Sequence, residues 1–300
     1  MPTLELTDLR GQAYDGAGAM AGATNGAAAR IQQQYPKALF THCAAHRLNL
    51  CVVKCCSVLE VSNAMDLADS IVRFFDNSPK RQNSLDSFIP EGESRRKLKE
   101  LCRTRWVERH DSFDVFLLLY QALAHCMEYL STAPAKEWNR DTRNNARLIL
   151  NSLLRFPLIV ALTLTREILL MTKALSIKLQ STYMDIVRTH KEVELVKQQV
   201  KRNREDVDGF HQRIYNAAVA LANEVGLSEE TPRIVGRQQH RTNLEASTLC
   251  EFYHRSTTVP LLDHLQMQLK ERFSTGHRAL GISASLWPSR PVNFKGRLSQ

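Results

Sequence analysis

Arg10-Gly-Gln-Ala-Tyr-Asp-Gly-Ala-Gly-Ala-Met20 and, further on, His42-Cys-Ala-Ala-His-Arg-Leu-Asn-Leu50 decide how the start of this chain is read. Leu9 to Tyr14 reads as a buried strand, and Asp15 stands at its end. Ala19 to Gln34 is rich in alanine, the best helix former. Gly22 and Gly26 weaken that helix and Pro36 stops it. Ala38 to His42 reads as a second strand, and from Cys43 onward the spacing is helical. Strand, helix, strand, helix is the order of an α/β unit. Two strands do not make a stable sheet alone. The expectation is that the neighbouring strands lie before residue 1, after residue 300 or in a partner.

The rest of the chain reads as helices. His46 to Val61 carries an apolar stripe through Leu48, Val52, Val53 and Leu59, and Met65 to Phe75 continues it. Asn77 to Ser84 has the composition of a loop. Phe113 to Leu130 is apolar and helical, and Asp141 to Gly226 reads as long helices. Ile186, Val193, Val200, Val207, Ile214 and Leu221 recur at seven-residue intervals. Such a row favours helices packed side by side at a shallow angle. Its companion row, Thr189, Val196, Asn203, Phe210 and Ala217, is weak, which favours a hairpin within the chain over a free dimer. Val259 to Phe273 is a last amphipathic helix, and the Gly- and Pro-containing tail is irregular.

The 300 residues carry 40 Lys and Arg against 31 Asp and Glu, a net charge of +9. The excess is local. Arg95 to Arg109 holds seven basic and two acidic residues, and from Arg272 onward there are five basic residues and no acidic one. Such clustering suits a polyanionic partner. Seven cysteines, an odd number, with no secretory signal at Met1-Pro-Thr-Leu-Glu5, suggest reduced thiols in the nucleus or cytoplasm. The most apolar run, Phe156 to Thr165, is too short to span a bilayer as a helix. No membrane segment is expected.

Three groups of residues are candidates for chemistry. Asp15 has the acidity and position of a metal ligand at a strand end, followed by small residues that leave room for close approach. Asp-Gly is equally an ordinary turn signal. Cys43 and His46 have the spacing of half a zinc site, with Cys51, Cys55 or Cys56 as further ligands. A Cys and His packed beneath the sheet account for the same spacing. In Leu101-Cys-Arg-Thr-Arg-Trp-Val107 an indole stands among Arg103, Arg105 and Arg109. That suits phosphate contacts and base stacking, as it also suits a Trp anchored in a core beside a solvated face. The glycines do not have the spacing of a phosphate-binding loop.

Taken in order, Arg10-Gly-Gln-Ala-Tyr-Asp-Gly-Ala-Gly-Ala-Met20, His42-Cys-Ala-Ala-His-Arg-Leu-Asn-Leu50 and Cys102-Arg-Thr-Arg-Trp106 resemble motifs of hAT-superfamily transposases and their domesticated relatives. Among these they are similar to motifs of zinc finger MYM-type protein 1-like and repressor of the inhibitor of the protein kinase-like proteins. Arg233 to Asn243, Phe252-Tyr-His-Arg-Ser256 and Pro260-Leu-Leu-Asp-His-Leu265 are similar too, so the resemblance covers most of residues 9 to 273. It implies an RNase H-like core interrupted by a helical insertion domain. Asp15 would be the second acidic residue of the catalytic triad, Cys43 and His46 the family's Cys-x-x-His pair, and Trp106 its Trp near the cut DNA end. Active relatives use Mg²⁺ or Mn²⁺ to cleave and transfer DNA strands.

The departures from the family pattern are specific. Its first Asp lies upstream, and Asp8, seven residues before Asp15, faces the other side of the same strand. The Ser-Glu-Arg helix that carries its final Glu has no counterpart after Phe273. Ala19 stands where the family has Asn. One carboxylate does not hold two ions.

The fold expected is α+β and mostly helical, a partial RNase H-like core with a large all-helical insertion. Residues 1–76 would form the partial core and 77–112 a basic connector. Residues 113–273 would form the insertion and 274–300 a tail. The function expected is that of an inactive remnant of a DNA transposase, with no cofactor bound by this stretch. DNA would be held weakly through Arg95, Arg96, Lys97, Arg103, Arg105 and Arg109. The alternative is a helical module that self-associates or docks a protein through residues 186–221.

Overall fold

In the computed structural model, residues 9–90, 98, 110–180, 186–230 and 246–273 are described. The molecule is mostly helical, with two short parallel strands at its start. Strand β1 (Gly11–Tyr14) pairs with β2 (Leu39–His42) in the register Gly11 with Leu39 to Tyr14 with His42. Between them run α1 (Gly18–Ala21) and α2 (Ala27–Gln34). The alanine-rich stretch is thus split at its glycines. A Cβ on Gly26 would sit 2.5 Å from the backbone N and O of Gly22, so the tight turn between the helices excludes a side chain there.

The interior residue of β1 is polar. Gln12 is buried, and its Nε2 donates to the carbonyls of Ala28 and Ala38, both at 3.0 Å. One side-chain amide therefore ties α2 and the entrance of β2 to β1. The expected buried strand is half right: Gln12 is inside, while Gly11 and Ala13 on the other face are exposed.

Helix α3 (Ala44–Cys55) turns Leu48, Cys51, Val52 and Cys55 inward, the i, i+3, i+4, i+7 pattern of an amphipathic helix. α4 (Leu59–Asp76) follows after a short break. Residues 77–84, read from composition as a loop, instead enter α5 (Pro79–Asp86). Ser78 is its N-cap, with Oγ accepting from the Arg81 amide at 3.4 Å, and Pro79 occupies the first turn, where its missing N–H costs nothing. Lys80 lies 4.2 Å from the Trp138 ring centroid, and Arg81 lies 4.2 Å from that of Phe74.

α6 (His110–Leu118), α7 (Tyr120–Thr132) and α8 (Arg140–Leu153) form the next layer. The buried Tyr120 hydroxyl donates to the Leu153 carbonyl at 2.7 Å, joining α7 to the end of α8. α9 (Phe156–Leu179) is the central helix, buried almost all round through its first half. The Thr163, Thr165 and Thr172 hydroxyls inside it donate to the carbonyls four residues earlier, which removes the cost of burying them.

α10 (Ile186–Glu205) and α11 (Val207–Glu224) run back along α9 as one nearly continuous helix, broken at Asp206. Their direction is fixed by Lys178 with Glu192 at 2.7 Å, Asn203 with Met171 at 2.9 Å, and Phe156 edge-on to Tyr215 at 5.7 Å. α12 (Leu249–Tyr253), a π-helical turn (His254–Thr258) and α13 (Val259–Arg272) complete the described chain. Leu261, Leu262, Leu265 and Leu269 of α13 are fully buried as expected, packed with α3 and α10. The apolar core runs without interruption from Leu48 to Leu269, and neither strand contributes to it. Among the described residues no single helix is long and apolar enough to cross a membrane.

Candidate functional site

Because β1 and β2 are parallel, their C-terminal ends open on one edge. That edge is where open α/β sheets place their ligands. Asp15 follows β1 and Cys43 follows β2, and the Cys43 amide donates to the Tyr14 carbonyl at 2.8 Å. Cys43 is also the residue from which α3 starts, so His46 falls in the first turn of that helix. A Cβ on Gly16 would lie 3.9 Å from His46 Nε2. The loop after Asp15 therefore passes directly against the imidazole, and residues thirty-one positions apart in sequence share one small surface.

Asp15 is exposed, and its Oδ1 accepts from the Ala17 amide at 3.3 Å. It makes the local turn that Asp-Gly predicts. Cys43 and His46 are half-buried. This arrangement offers a carboxylate, a thiol and an imidazole at one edge. Among the described residues no three His, Cys, Asp or Glu side chains converge on a point that could hold a metal ion.

The other cysteines lie deeper. Cys51 Sγ donates to the Gln268 carbonyl at 3.4 Å, and burial pushes its thiol up to about 12. Cys55 and Cys56 have sulfurs 3.9 Å apart in the core, and hydrogen bonding to Cys56 together with burial pushes the Cys55 thiol well up. Zinc binds thiolates, so burial of Cys51 and Cys55 disfavours the form that would complete a site with Cys43 and His46.

The basic segment is placed only in part. Leu98 is buried in the main core, whereas Arg95, Arg96, Lys97, Arg103, Arg105, Arg109 and Trp106 lie outside the described residues. From Val193 onward the heptad row is turned inward, while the side chain of Ile186 lies outside what is described. Val193, Val200 and Ile214 are buried, and Val207 and Leu221 are partly so, against the chain's own helices.

One polar centre escaped the sequence reading altogether. His211 of α11 is only 2% exposed and uses both ring nitrogens. Nε2 lies 2.9 Å from the Cys250 carbonyl, which can only accept, so Nε2 carries the proton. Nδ1 then accepts from the Thr258 hydroxyl at 2.8 Å. Burial pushes His211 down to about 4, with the charge of neighbouring His254 lowering it further. His254 is 5.2 Å away, ring to ring, and its Nε2 is 3.3 Å from Asp208. The signal was a His between Phe210 and Ile214 on an apolar face, which reads from sequence only as a core histidine.

The chain is similar along 99% of its length to the 52 kDa repressor of the inhibitor of the protein kinase of Homo sapiens, at 28% identity over 303 residues. The mouse protein of that name is similar at 28% identity over 304 residues. The resemblance to repressor of the inhibitor of the protein kinase-like proteins, read from the three motifs, is thereby borne out. The chain spans 40% of the length of these relatives. No family model matches it, and no solved structure does.

Proposed function

We propose that these 300 residues are a domesticated, hAT-transposase-derived segment that has kept the scaffold of a DNA-processing core and acts by binding nucleic acid rather than by cutting it. The observation that carries the reading is that Asp15 ends β1 and the Gly16 loop after it packs against His46, at the C-terminal edge of a parallel strand pair. That is where an RNase H-like core would present one of its metal-binding carboxylates. In active relatives Mg²⁺ or Mn²⁺ supplies the activated water and stabilises the leaving oxygen. Here Asp15 would be the ligand from this chain, and one exposed carboxylate does not hold such an ion without partners. Nucleic acid would be held by Arg95, Arg96, Lys97, Arg103, Arg105 and Arg109, with Trp106 available for stacking. The relatives are named as a repressor, which suits a protein that binds and regulates. A nuclear location follows from the same reading.

The test is purified protein with Mn²⁺ and end-labelled DNA. The expected outcome is binding that weakens with salt and no nicking. Metal-dependent nicking that disappears in Asp15→Ala would overturn the inactive reading, and absence of any binding at low salt would overturn the nucleic-acid reading. A second reading, docking of another protein through residues 186–221, has less support because the valine row is already covered by α9 and α13.

A further inference from the structure

The junction of α3, α10 and α13 gathers three cations around one residue. The Arg47 guanidinium lies 4.8 Å from the centroid of the Phe273 ring. Lys197 Nζ donates to the Phe273 carbonyl at 2.8 Å. Arg272 precedes Phe273 in the chain, and its Nε donates to Gln268 Oε1 at 3.1 Å. Lys197 has a carboxylate, Glu194, at 2.8 Å. Among the described residues neither guanidinium has a carboxylate within ion-pair distance, and residues 274–300 contain no acidic side chain. Arg47, Arg272 and Phe273 are all half-exposed.

Part of this is explained by structure alone. Lys197 and Arg272 stand at the C-terminus of α13, where the helix dipole favours positive charge. Arg47 is not explained that way, because it sits in the first turn of α3, where the dipole disfavours a cation. Burial lowers its pKa, Cys51 offsets part of this, and the charge of Arg272 lowers it again, so a positive charge here carries a cost. A bound anion would relieve that cost. Arg47 is next to His46, whose ring touches the loop after Asp15.

We propose that Arg47, Arg272 and Lys197 form a seat for a phosphodiester group of nucleic acid, with Phe273 placed to pack against the adjoining base. Guanidinia are suited to phosphate oxygens by geometry as well as charge, and a half-exposed aromatic ring beside them is the usual platform for an unpaired base. The seat extends the proposed function to a second contact, built from residues other than those of the basic segment 95–109.

The experiment measures binding of a fluorescein-labelled single-stranded DNA oligonucleotide to the full chain at several salt concentrations. Three variants are compared: Arg47→Gln/Arg272→Gln, Arg103→Gln/Arg105→Gln, and Arg140→Gln/Arg147→Gln. The last removes the same charge from exposed positions on α8. The Arg47/Arg272 variant is expected to weaken binding roughly tenfold and to flatten the logarithmic salt slope by about 1.4, the value for two lost contacts to a single strand. Arg47→Lys/Arg272→Lys should keep the slope. The seat is refuted if Arg47→Gln/Arg272→Gln matches the α8 variant or leaves binding intact. If binding is then lost only in Arg103→Gln/Arg105→Gln, the seat fails while the nucleic-acid reading stands. No binding by the wild-type chain refutes both. Should the double variant unfold by circular dichroism, Arg272→Gln alone is expected to flatten the slope by about 0.7, and an unchanged slope there refutes the seat.

Discussion

At the scale of single residues, this protein depends on a few buried polar atoms with fixed partners. Tyr120→Phe keeps the ring and removes one of the two donors to the Leu153 carbonyl, leaving the Arg155 amide at 2.8 Å. It should lower stability by about 1–2 kcal/mol, read from urea unfolding. Val200→Asp places a charge where the side chain is 0% exposed. It should cost more than about 3 kcal/mol. Leu195→Asp, one turn away at 54% exposed, should stay within about 0.5 kcal/mol. Equal effects at the two positions would mean that the valine row is not packed as described. What could be read from sequence at this scale was periodic: Leu261, Leu262, Leu265 and Leu269 repeat with the helix and are buried. Gln12 and His211 could not be read, because each is placed by partners sixteen or more positions away. Sequence spacing holds no trace of those partners.

At the scale of elements, the ends and breaks carry the information. α5 exists because Ser78 and Pro79 start a helix, although the residues that follow have the composition of a loop. Ser78→Ala should therefore cost about 1 kcal/mol and reduce helical signal at 222 nm only slightly, as expected for loss of one cap. α11 and the π-helical turn are joined through His211. Its folded pKa, about 4, lies below the ordinary value of 6.5. The unfolded chain therefore takes up a proton, as pH falls below 6.5, that the folded chain refuses. The stability contributed by the neutral ring is complete above pH 6.5 and declines as pH falls toward 4, by about 2 kcal/mol. Denaturant titrations at pH 7 and pH 4.5 check this: the difference between them should shrink in His211→Phe, and an undiminished difference would assign the acid sensitivity to other groups. The strands and most helices could be placed from pattern to within a few residues. The breaks at Leu119 and Asp206 could not, since the apolar spacing continues through both.

At the scale of the whole molecule, one helical body carries a small strand unit at its start. The strands add nothing to the core that runs from Leu48 to Leu269, and among the described residues no third strand pairs with either. Backbone amides in residues 9–42 should exchange with deuterium far sooner than those of α9, in minutes rather than hours. Equal protection would mean that the strand unit is stabilised by contacts other than these. The approach of the loop after Asp15 to His46 is likewise a whole-molecule property. Its residues could be named from motif, but their proximity follows from parallel pairing, which two short stretches of sequence do not announce. The π-helical turn at His254–Thr258 acts at this scale too, as a setting of rotational phase. An α-helix advances about 100° per residue, and the extra residue in this turn fixes the azimuth at which α13 emerges. Deleting Ser256 would let α12 and α13 fuse into one regular helix and would swing α13 by about a quarter turn. Its leucines would leave α3, and the Phe273 ring would leave Arg47. The whole C-terminal face of the molecule is thus indexed by a single inserted residue.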